Sequence, residues 1–473
     1  MSIGPVPTVK SGIASPRIVK KDDREMRRML GEPKKAIRSL AAALSLSYLV
    51  IQLNIFVDTF WTSGLGDMDM TAVSMMSPIY WIITATGVGL GVGAASTISF
   101  RIGEGNMERA EKLAANSVVL GLLTSVFVSA AMMLLIDPII DLMGADEVRD
   151  GSVAYVFPFI AMGSALILNG IISGLLRSEG AGRKSMIVLI VSATLNMALD
   201  PVLIYGLGMG VAGAGWATSV GALISTALGL YWYMSGRMNV ALSFRGFRLD
   251  RGVMAEVMGI GGPRTAEALV TGTTNILQRI FIIAAGGTVA VMLYNVPFRY
   301  PTLAIVPAEA IGAAMIPVCS AALGQKDTAK MKLGMLYSAK LSIAITSAIA
   351  LTVFVFADPL MGVFTTSESM ASHKEELVWV LRMFCIFIPF DGLRKLGSCM
   401  LQVLRRSKLS TAAMLLWGVC KLTAYAAASL YSFEALIIAC VGVYVFGGIL
   451  MMGLSYHVSK KVDERHMPRE PGC

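Results

Sequence analysis

The sequence predicts an all-α integral membrane protein in which twelve transmembrane helices form two six-helix lobes. Only 15% of its 473 residues are Asp, Glu, Lys or Arg, and 55% are hydrophobic, whereas soluble proteins carry about 25% charged residues. The apolar residues gather in long runs, and short motifs recur at a constant spacing along the chain. This composition excludes a set of soluble domains, an intrinsically disordered chain and a coiled coil.

Each apolar run is long enough to cross a hydrocarbon layer about 30 Å thick, which takes about 20 helical residues. A membrane β-barrel would instead show alternating strands of about ten residues. The predicted crossings cover residues 36–63, 71–99, 111–136, 153–177, 185–206, 211–234, 262–285, 288–323, 331–357, 376–403, 409–430 and 433–458.

The connections between these runs differ in charge. Lys and Arg are in excess in the tail 1–35, the turns 177–184 and 405–408, and the linker 236–261, which define the basic side of the molecule. Asp and Glu are in excess in the turn 137–150 on the opposite, acidic side. Because cytoplasmic loops are rich in Lys and Arg, we expect a multi-pass plasma-membrane protein with both termini cytoplasmic. The net charge of +9 then reflects topology, and no nucleic-acid partner is expected.

Motifs at matching positions indicate an internal repeat. Gly-Ala-Ala begins at Gly93 and again at Gly312, and Asp-Pro begins at Asp137 and again at Asp358. Two halves with an even number of crossings have the same orientation, as in many secondary transporters, whose substrate path lies between repeats. A membrane protein that transports nothing is the alternative. The predicted domains are a basic cytoplasmic tail 1–35, an N-lobe 36–235, a basic cytoplasmic linker 236–261, a C-lobe 262–458 and a cytoplasmic tail 459–473.

Ionisable residues inside apolar spans are costly, so they are functional candidates. Asp58 follows Asn54 by four residues and Asp200 follows Asn196 by four, which places each pair on one face of its helix. Thr218 lies in the next crossing. Oxygen ligands of these kinds suit a sodium ion, and two neighbouring carboxylates also suit a proton. We predict a cation site of Asp58, Asn196, Asp200 and Thr218 with Asn54 beside it; the alternative is a set of residues that only caps helices or fixes packing.

Three further acids, Glu267, Glu309 and Asp391, lie in predicted crossings of the second half. They are candidates for a second-lobe substrate or proton site, because a carboxylate at membrane depth attracts a cationic compound or a proton. The alternative is structural pairing with basic residues of the same half. The basic residues available for that pairing are Arg279, Arg299 and Lys421.

Residues for other chemistry are few. The three histidines are far apart in or near polar segments, and neither a C-x-x-C nor a Walker A motif occurs. We therefore expect no enzyme activity, no catalytic residue, no cofactor, and no metal other than a bound Na⁺. The glycine-rich run from Gly87 to Gly93 lies within an apolar span with no preceding strand. Glycines four apart there suit close helix packing rather than nucleotide binding.

Several stretches resemble the multidrug and toxic compound extrusion (MATE) family of the flippase superfamily, over roughly residues 36–458. The stretches that carry the resemblance are Asp58-Thr59-Phe60-Trp61-Thr62-Ser63-Gly64-Leu65-Gly66, Gly91-Val92-Gly93-Ala94-Ala95, Leu195-Asn196-Met197-Ala198-Leu199-Asp200-Pro201 and Gly213-Ala214-Gly215-Trp216-Ala217-Thr218. The resemblance implies a V-shaped cavity between the lobes and export of drugs by cation antiport.

The resemblance also implies that the four polar residues of the first half form the family's Na⁺ or H⁺ site, and Asp391 falls near an acid that some members use in the tenth helix. In similar members a proline bends the first helix. This sequence has no proline between Ala36 and Gly66, so it departs from the family at that point.

The resulting hypothesis is a secondary active multidrug efflux transporter. It would antiport cationic or amphipathic organic compounds against Na⁺ or H⁺ by alternating access, as a monomer in the lipid bilayer. The runner-up is a lipid or lipid-linked sugar flippase on the same fold, which should have a more cationic central cavity. A non-transporting membrane receptor and a membrane-embedded enzyme are further alternatives.

Overall fold

The computed structural model describes residues 23–142, 146–244, 249–364 and 371–466, which are mostly helical with no strand among them. Predictions for residues 1–22, 143–145, 245–248, 365–370 and 467–473 lie outside the described residues. The first half contains α1 (Asp23–Leu30), α2 (Pro33–Ser63), α3 (Asp67–Gly103), α4 (Met107–Leu142), α5 (Arg149–Ala161), α6 (Gly163–Ser178), α7 (Gly182–Pro201) and α8 (Val211–Met234). The second half contains α9 (Arg251–Ala304), α10 (Val306–Gly324), α11 (Thr328–Val355), α12 (Ala357–Gly362), α13 (Lys374–Val403), α14 (Ser407–Ser429) and α15 (Phe433–His466).

The helices agree with the predicted all-helical membrane fold. Nine stretches among the described residues are long and apolar enough to cross a membrane, and ten if α5 and α6, bent by 52°, form one span. One of the nine, Arg251–Gly324, has 74 residues and breaks near Gly287, whose φ of 65° only glycine adopts readily. That break is the predicted turn between the seventh and eighth crossings. With α13 as a further span, the pattern is consistent with twelve.

Several helices extend beyond the apolar runs that predicted them. α9 begins at Arg251, inside the predicted linker, because the Asp250 carboxylate accepts hydrogen bonds from the backbone N–H groups of Gly252 (2.8 Å) and Val253 (3.1 Å). Such a cap satisfies donors that the first turn of a helix leaves free. The apolar pattern marks only the membrane-spanning part of a helix, so it misses these polar first turns.

The glycine-rich run of α3 packs against two helices at once. A Cβ atom on Gly87 or Gly91 would lie 2.7 Å from the Ile167 oxygen or 2.2 Å from the Gly170 oxygen, both on α6. On the other face, a Cβ atom on Gly93 would lie 2.5 Å from the Val257 oxygen of α9. Gly87 and Gly91, which are four residues apart, therefore form one contact face of α3, and Gly93 lies on another. The prediction that this run serves helix packing is confirmed.

The two lobes meet near the basic side through small residues. The hydroxyl groups of Ser96 on α3 and Ser320 on α10 are 3.1 Å apart. A Cβ atom on Gly103 would lie 2.1 Å from the Ala321 oxygen, and one on Gly324 would lie 2.1 Å from the Phe100 oxygen. The backbones of α3 and α10 thus touch in the last turns before the basic side.

Glu256 on α9 joins the lobes at the basic side. Its carboxylate lies 2.9 Å from Arg101 and 3.6 Å from Arg109, which belong to the first half, and 3.2 Å from Arg405 of the second half. The Arg405 guanidinium also lies over the Phe100 ring, 4.0 Å from its centroid. The lobes are therefore held together on the basic side by one carboxylate shared among three arginines.

Glu179, in the turn between α6 and α7, anchors the chain that follows α8. It is 1% exposed. Its carboxylate accepts hydrogen bonds from the Tyr233 hydroxyl (3.0 Å) and from the backbone N–H groups of Asn239 (2.6 Å) and Val240 (3.1 Å). The start of the linker is thereby fixed to the N-lobe.

The substitution Gly91→Ala is expected to destabilise the protein, because its methyl group would lie 2.2 Å from the Gly170 oxygen and overpacking costs about 1–3 kcal/mol. Gly442→Ala is the matched control, since no heavy atom lies within 4 Å of its new methyl group. In thermal unfolding, Gly91→Ala should show the lower midpoint, and Gly442→Ala should match or exceed the wild type. Equal midpoints for the two variants would contradict the packing described.

Glu179 should make stability depend on pH. Burial raises its pKa from 4.5 to about 7 despite its hydrogen bonds, which corresponds to about 3 kcal/mol. The folded state holds the proton more tightly, so this stabilisation is complete below the unfolded pKa and is lost as pH rises through about 7. Relative to the wild type, the unfolding midpoint of Glu179→Gln should rise between about pH 5 and about pH 8. Tyr233→Phe keeps the carboxyl group and should show no such rise; a constant difference for Glu179→Gln would refute the assignment.

Candidate cation site

The end of α7 has an unusual backbone next to its buried acid. Asn196 and Asp200 lie on one face of this helix and are 4% and 0% exposed. Pro201 follows Asp200, and the next residues, Val202–Gly206, form a π-helical turn. The position of Pro201 predicts a disturbance here, because proline lacks a backbone donor. Single π turns occur frequently at functional sites.

Asn196 is the centre of a hydrogen-bonded cluster. Its Nδ2 group donates to the Thr218 hydroxyl (3.0 Å) and to the Asp200 carboxylate (3.2 Å), and its Oδ1 atom accepts a hydrogen bond from Nδ2 of Asn54. The Thr218 hydroxyl in turn donates to the Ala214 oxygen (3.1 Å). The structure therefore brings together Asn54, Asn196, Asp200 and Thr218, from three helices.

One glycine allows α8 to approach α7 at this cluster. A Cβ atom on Gly221 would lie 2.7 Å from the Ser192 oxygen and 3.3 Å from the Asn196 nitrogen. Any larger residue would push α8 away and lengthen the contact between Thr218 and Asn196. The site geometry thus depends on the absence of a side chain at Gly221.

The Asp200 carboxylate is only half satisfied. Its Oδ1 atom accepts from Asn196, but its Oδ2 atom is buried and has no hydrogen-bond partner. No basic residue lies within salt-bridge distance of Asp200 among the described parts of the chain. A buried carboxylate oxygen without a donor costs free energy, so this atom has the environment that a proton or a metal cation would satisfy.

Asp58 lies near this cluster without joining its hydrogen bonds. Its half-buried carboxylate makes no hydrogen bond or ion pair with a described residue, yet it is close enough to Asp200 for the two charges to interact. Tyr80 on α3 and Tyr155 on α5 also lie within electrostatic range of Asp58. Sequence reasoning missed both tyrosines, although a tyrosine hydroxyl inside an apolar span was a signal for them.

The acids of the second lobe are paired with bases. Asp391 accepts hydrogen bonds from Arg394 at 2.6 Å, and both side chains are buried. Glu267 binds Arg264 (2.9 Å) and the Ser398 hydroxyl (2.6 Å), although its Oε1 atom has no partner. Glu309 forms an ion pair with Lys395. All three acids thus lie beside a base, and these bases are Arg264, Arg394 and Lys395 rather than the expected Arg279, Arg299 and Lys421.

Several bases of the second lobe, Lys421 and Arg279 among them, have no acid within ion-pair distance among the described residues. Lys421 is 0% exposed, donates to Asn275 (2.9 Å), and lies 5.3–5.9 Å from the ring centroids of Trp417, Tyr425 and Tyr444. Arg279, four residues after Asn275 on α9, is exposed and has no ion pair with any residue the structure describes. The acids of the candidate cation site in the first lobe therefore lack a base, and these two bases of the second lobe lack an acid.

Comparison with known families identifies the fold twice within the chain. The MatE family model matches residues 43–202 and 266–422, one block in each half, in agreement with the internal repeat. The multidrug export protein MepA of Staphylococcus saprophyticus is 24% identical over 386 residues, or 80% of this chain and 82% of the relative. The FAD transporter of Shewanella oneidensis is 24% identical over 68% of this chain and 73% of the relative.

Solved structures agree with this assignment. A MATE protein in complex with MaL6 superposes with a TM-score of 0.89 at 27% identity, and the match covers 93% of this chain and 99% of that protein's chain. A multidrug resistance MATE transporter in an outward-facing conformation gives 0.89 at 26% identity, covering 94% and 100%. The family model covers both lobes and the architecture matches throughout, so this chain belongs to the MATE family of membrane transporters.

Proposed function

We propose that this protein exports organic compounds across the plasma membrane in exchange for Na⁺ or H⁺, with Asp58 and Asp200 as the carboxylates that take up the coupling ion. One observation carries the proposal: Oδ2 of Asp200 is buried without a hydrogen-bond donor or a basic residue nearby. A site of this kind is incomplete until a proton or cation enters. Asn196 holds the carboxylate in place, Thr218 positions Asn196, and both supply neutral oxygens.

The charge arrangement supports ion coupling in the first lobe. An acid that only fixes packing is usually neutralised by a base, as Asp391 is by Arg394. Asp58 and Asp200 instead lie within range of each other's negative charge, so ionising both carboxyl groups raises the free energy. Proton uptake removes one charge, and a sodium ion balances it, so either ion lowers the energy of the same arrangement.

Transport follows if the ion prefers one arrangement of the lobes. The contacts at Glu256, Ser96 and Ser320 close the basic side. We propose that this side is cytoplasmic and that both termini lie on it. An ion entering from the acidic side then binds a conformation that is open to that side. A difference in ion affinity between the two conformations is sufficient to drive exchange. Closure and opening at these contacts would carry a compound across.

The substrates are proposed to be drug-sized cationic or amphipathic compounds. Support comes from the relatives, which are named as multidrug export proteins. Another relative is named as a FAD transporter, so larger anionic compounds belong among those to be assayed. The protein is proposed to act as a monomer and without a cofactor.

The ion site is tested with Asp200→Asn and Asp58→Asn in proteoliposomes under an imposed Na⁺ gradient or pH gradient. Removal of one carboxylate should abolish the effect of the ion on drug affinity, which for a typical coupling is about 5- to 150-fold. Export of a fluorescent drug should fall to the level of empty liposomes. Glu434→Gln, which alters an exposed acid at the start of α15, is the control and should transport normally. Full gradient-driven export by both aspartate variants would exclude this site.

The second lobe favours one alternative, a lipid or lipid-linked sugar flippase. Such a protein needs cationic residues to accompany a phosphate group, and Lys421 and Arg279 are bases without an acid. A fluorescent phospholipid in proteoliposomes separates the two functions. Antiport predicts that the label stays in its leaflet while a drug is exported. Flipping that depends on Lys421, is lost in Lys421→Gln and persists in Lys408→Gln would instead establish the flippase.

A further inference from the structure

A cavity of about 210 Å³ opens at the basic side between α1, α2 and the turn before α7, with room for roughly seven water molecules. Three arginines line it: Arg24 and Arg28 on α1, and Arg183 at the start of α7. All three are exposed. The only acid in the lining is Glu25, so the cavity has a net positive charge.

The arginines are free to bind an anion. Arg24 and Arg183 make no hydrogen bond or ion pair with any described residue, and Arg28 is held only by one hydrogen bond to the Ser39 hydroxyl (3.1 Å). Guanidinium groups present paired N–H donors that match the oxygens of a phosphate. Three such groups around one cavity are a chemical match for a phosphate group.

The depth of the cavity indicates where that phosphate would come from. Its wall includes Ala36 and Leu40, in the first two turns of α2, whose 31 residues span the bilayer. This places the cavity at the level of the lipid headgroups. α1 itself has an arginine-rich face and an apolar face on which Met29 is buried, as in helices that lie in the membrane interface.

α1 also contacts both lobes. A Cβ atom on Gly180, in the N-lobe, would lie 2.9 Å from Cβ of Met29 and 2.8 Å from the Glu25 oxygen. Gly180 has a φ of +79°, so a larger residue there would be strained as well as crowded. At its other end, the Leu30 oxygen accepts a hydrogen bond from Lys330 of the C-lobe. A ligand that fixes α1 would therefore act on the contact between lobes.

We propose that this arginine cavity binds the phosphate of an anionic phospholipid in the leaflet at the basic side, and that the bound lipid holds α1 against the two lobes. The site is separate from the candidate cation site and does not depend on the coupling ion. Basic pockets between membrane helices on the cytoplasmic side recognise anionic headgroups in the same way.

The test uses the full-length protein in nanodiscs of phosphatidylcholine with or without phosphatidylglycerol. Anionic lipid should raise the unfolding midpoint of the wild type, and the triple variant Arg24→Gln, Arg28→Gln, Arg183→Gln should lose this rise. Lipid affinity measured by native mass spectrometry should fall about fivefold for each arginine removed. The control Lys326→Gln, Arg406→Gln, Lys408→Gln removes the same charge from the basic side outside the cavity and should keep the rise.

Two outcomes would overturn the proposal. Equal losses in the triple variant and its control would show that anionic lipid acts through overall charge. Stabilisation of the detergent-solubilised protein by inorganic phosphate, equal to that by phosphatidylglycerol, would assign the cavity to a soluble phosphate. If the triple variant fails to fold, the single variant Arg183→Gln decides, because it leaves α1 unaltered and should still lose lipid affinity.

Discussion

The burial of a carboxylate without a base is the constraint on which the first lobe depends. Asp200 is fully buried, and one of its oxygens has no partner. Charge at membrane depth costs several kcal/mol, so neighbouring elements must hold Asp200 in place. The π turn after Pro201, the hydrogen bonds of Asn196 and the bare backbone of Gly221 all serve this arrangement. An apolar residue at position 200 would need none of these three features.

The two lobes share an architecture but differ in whether their buried acids are paired with bases. In the second lobe Glu267, Glu309 and Asp391 each have a nearby base, whereas in the first lobe Asp58 and Asp200 have none and lie within range of each other's charge. α3 packs against helices of both lobes. Its glycines contact α6 in one lobe and α9 in the other, and its end reaches the arginine cluster around Glu256. A change in charge near Asp58 therefore lies one helix away from the contact that closes the basic side.

Local spacing in the sequence was enough to predict the helices and the core of the site. Asn196 and Asp200 are four residues apart, so helical geometry alone placed them on one face. The residues of the pairs Arg264–Glu267 and Asp391–Arg394 are three apart, so helical geometry also places each pair on one face. Glu309–Lys395 and the Glu256 cluster join residues far apart in the chain. They follow from helix packing, which apolar periodicity does not encode. The apolar spans mark Tyr80 and Tyr155 as polar residues at membrane depth, but only helix packing brings them near Asp58.

We propose that the coupling ion acts at the Asp200 carboxyl group. Infrared difference spectroscopy of the protein in lipid, recorded on adding Na⁺ or on lowering pH, observes this group directly. A carboxyl band should change in the wild type and in Glu434→Gln, and this change should be absent in Asp200→Asn. The same band change persisting in Asp200→Asn would show that the ion acts elsewhere and would rule out Asp200 as its site.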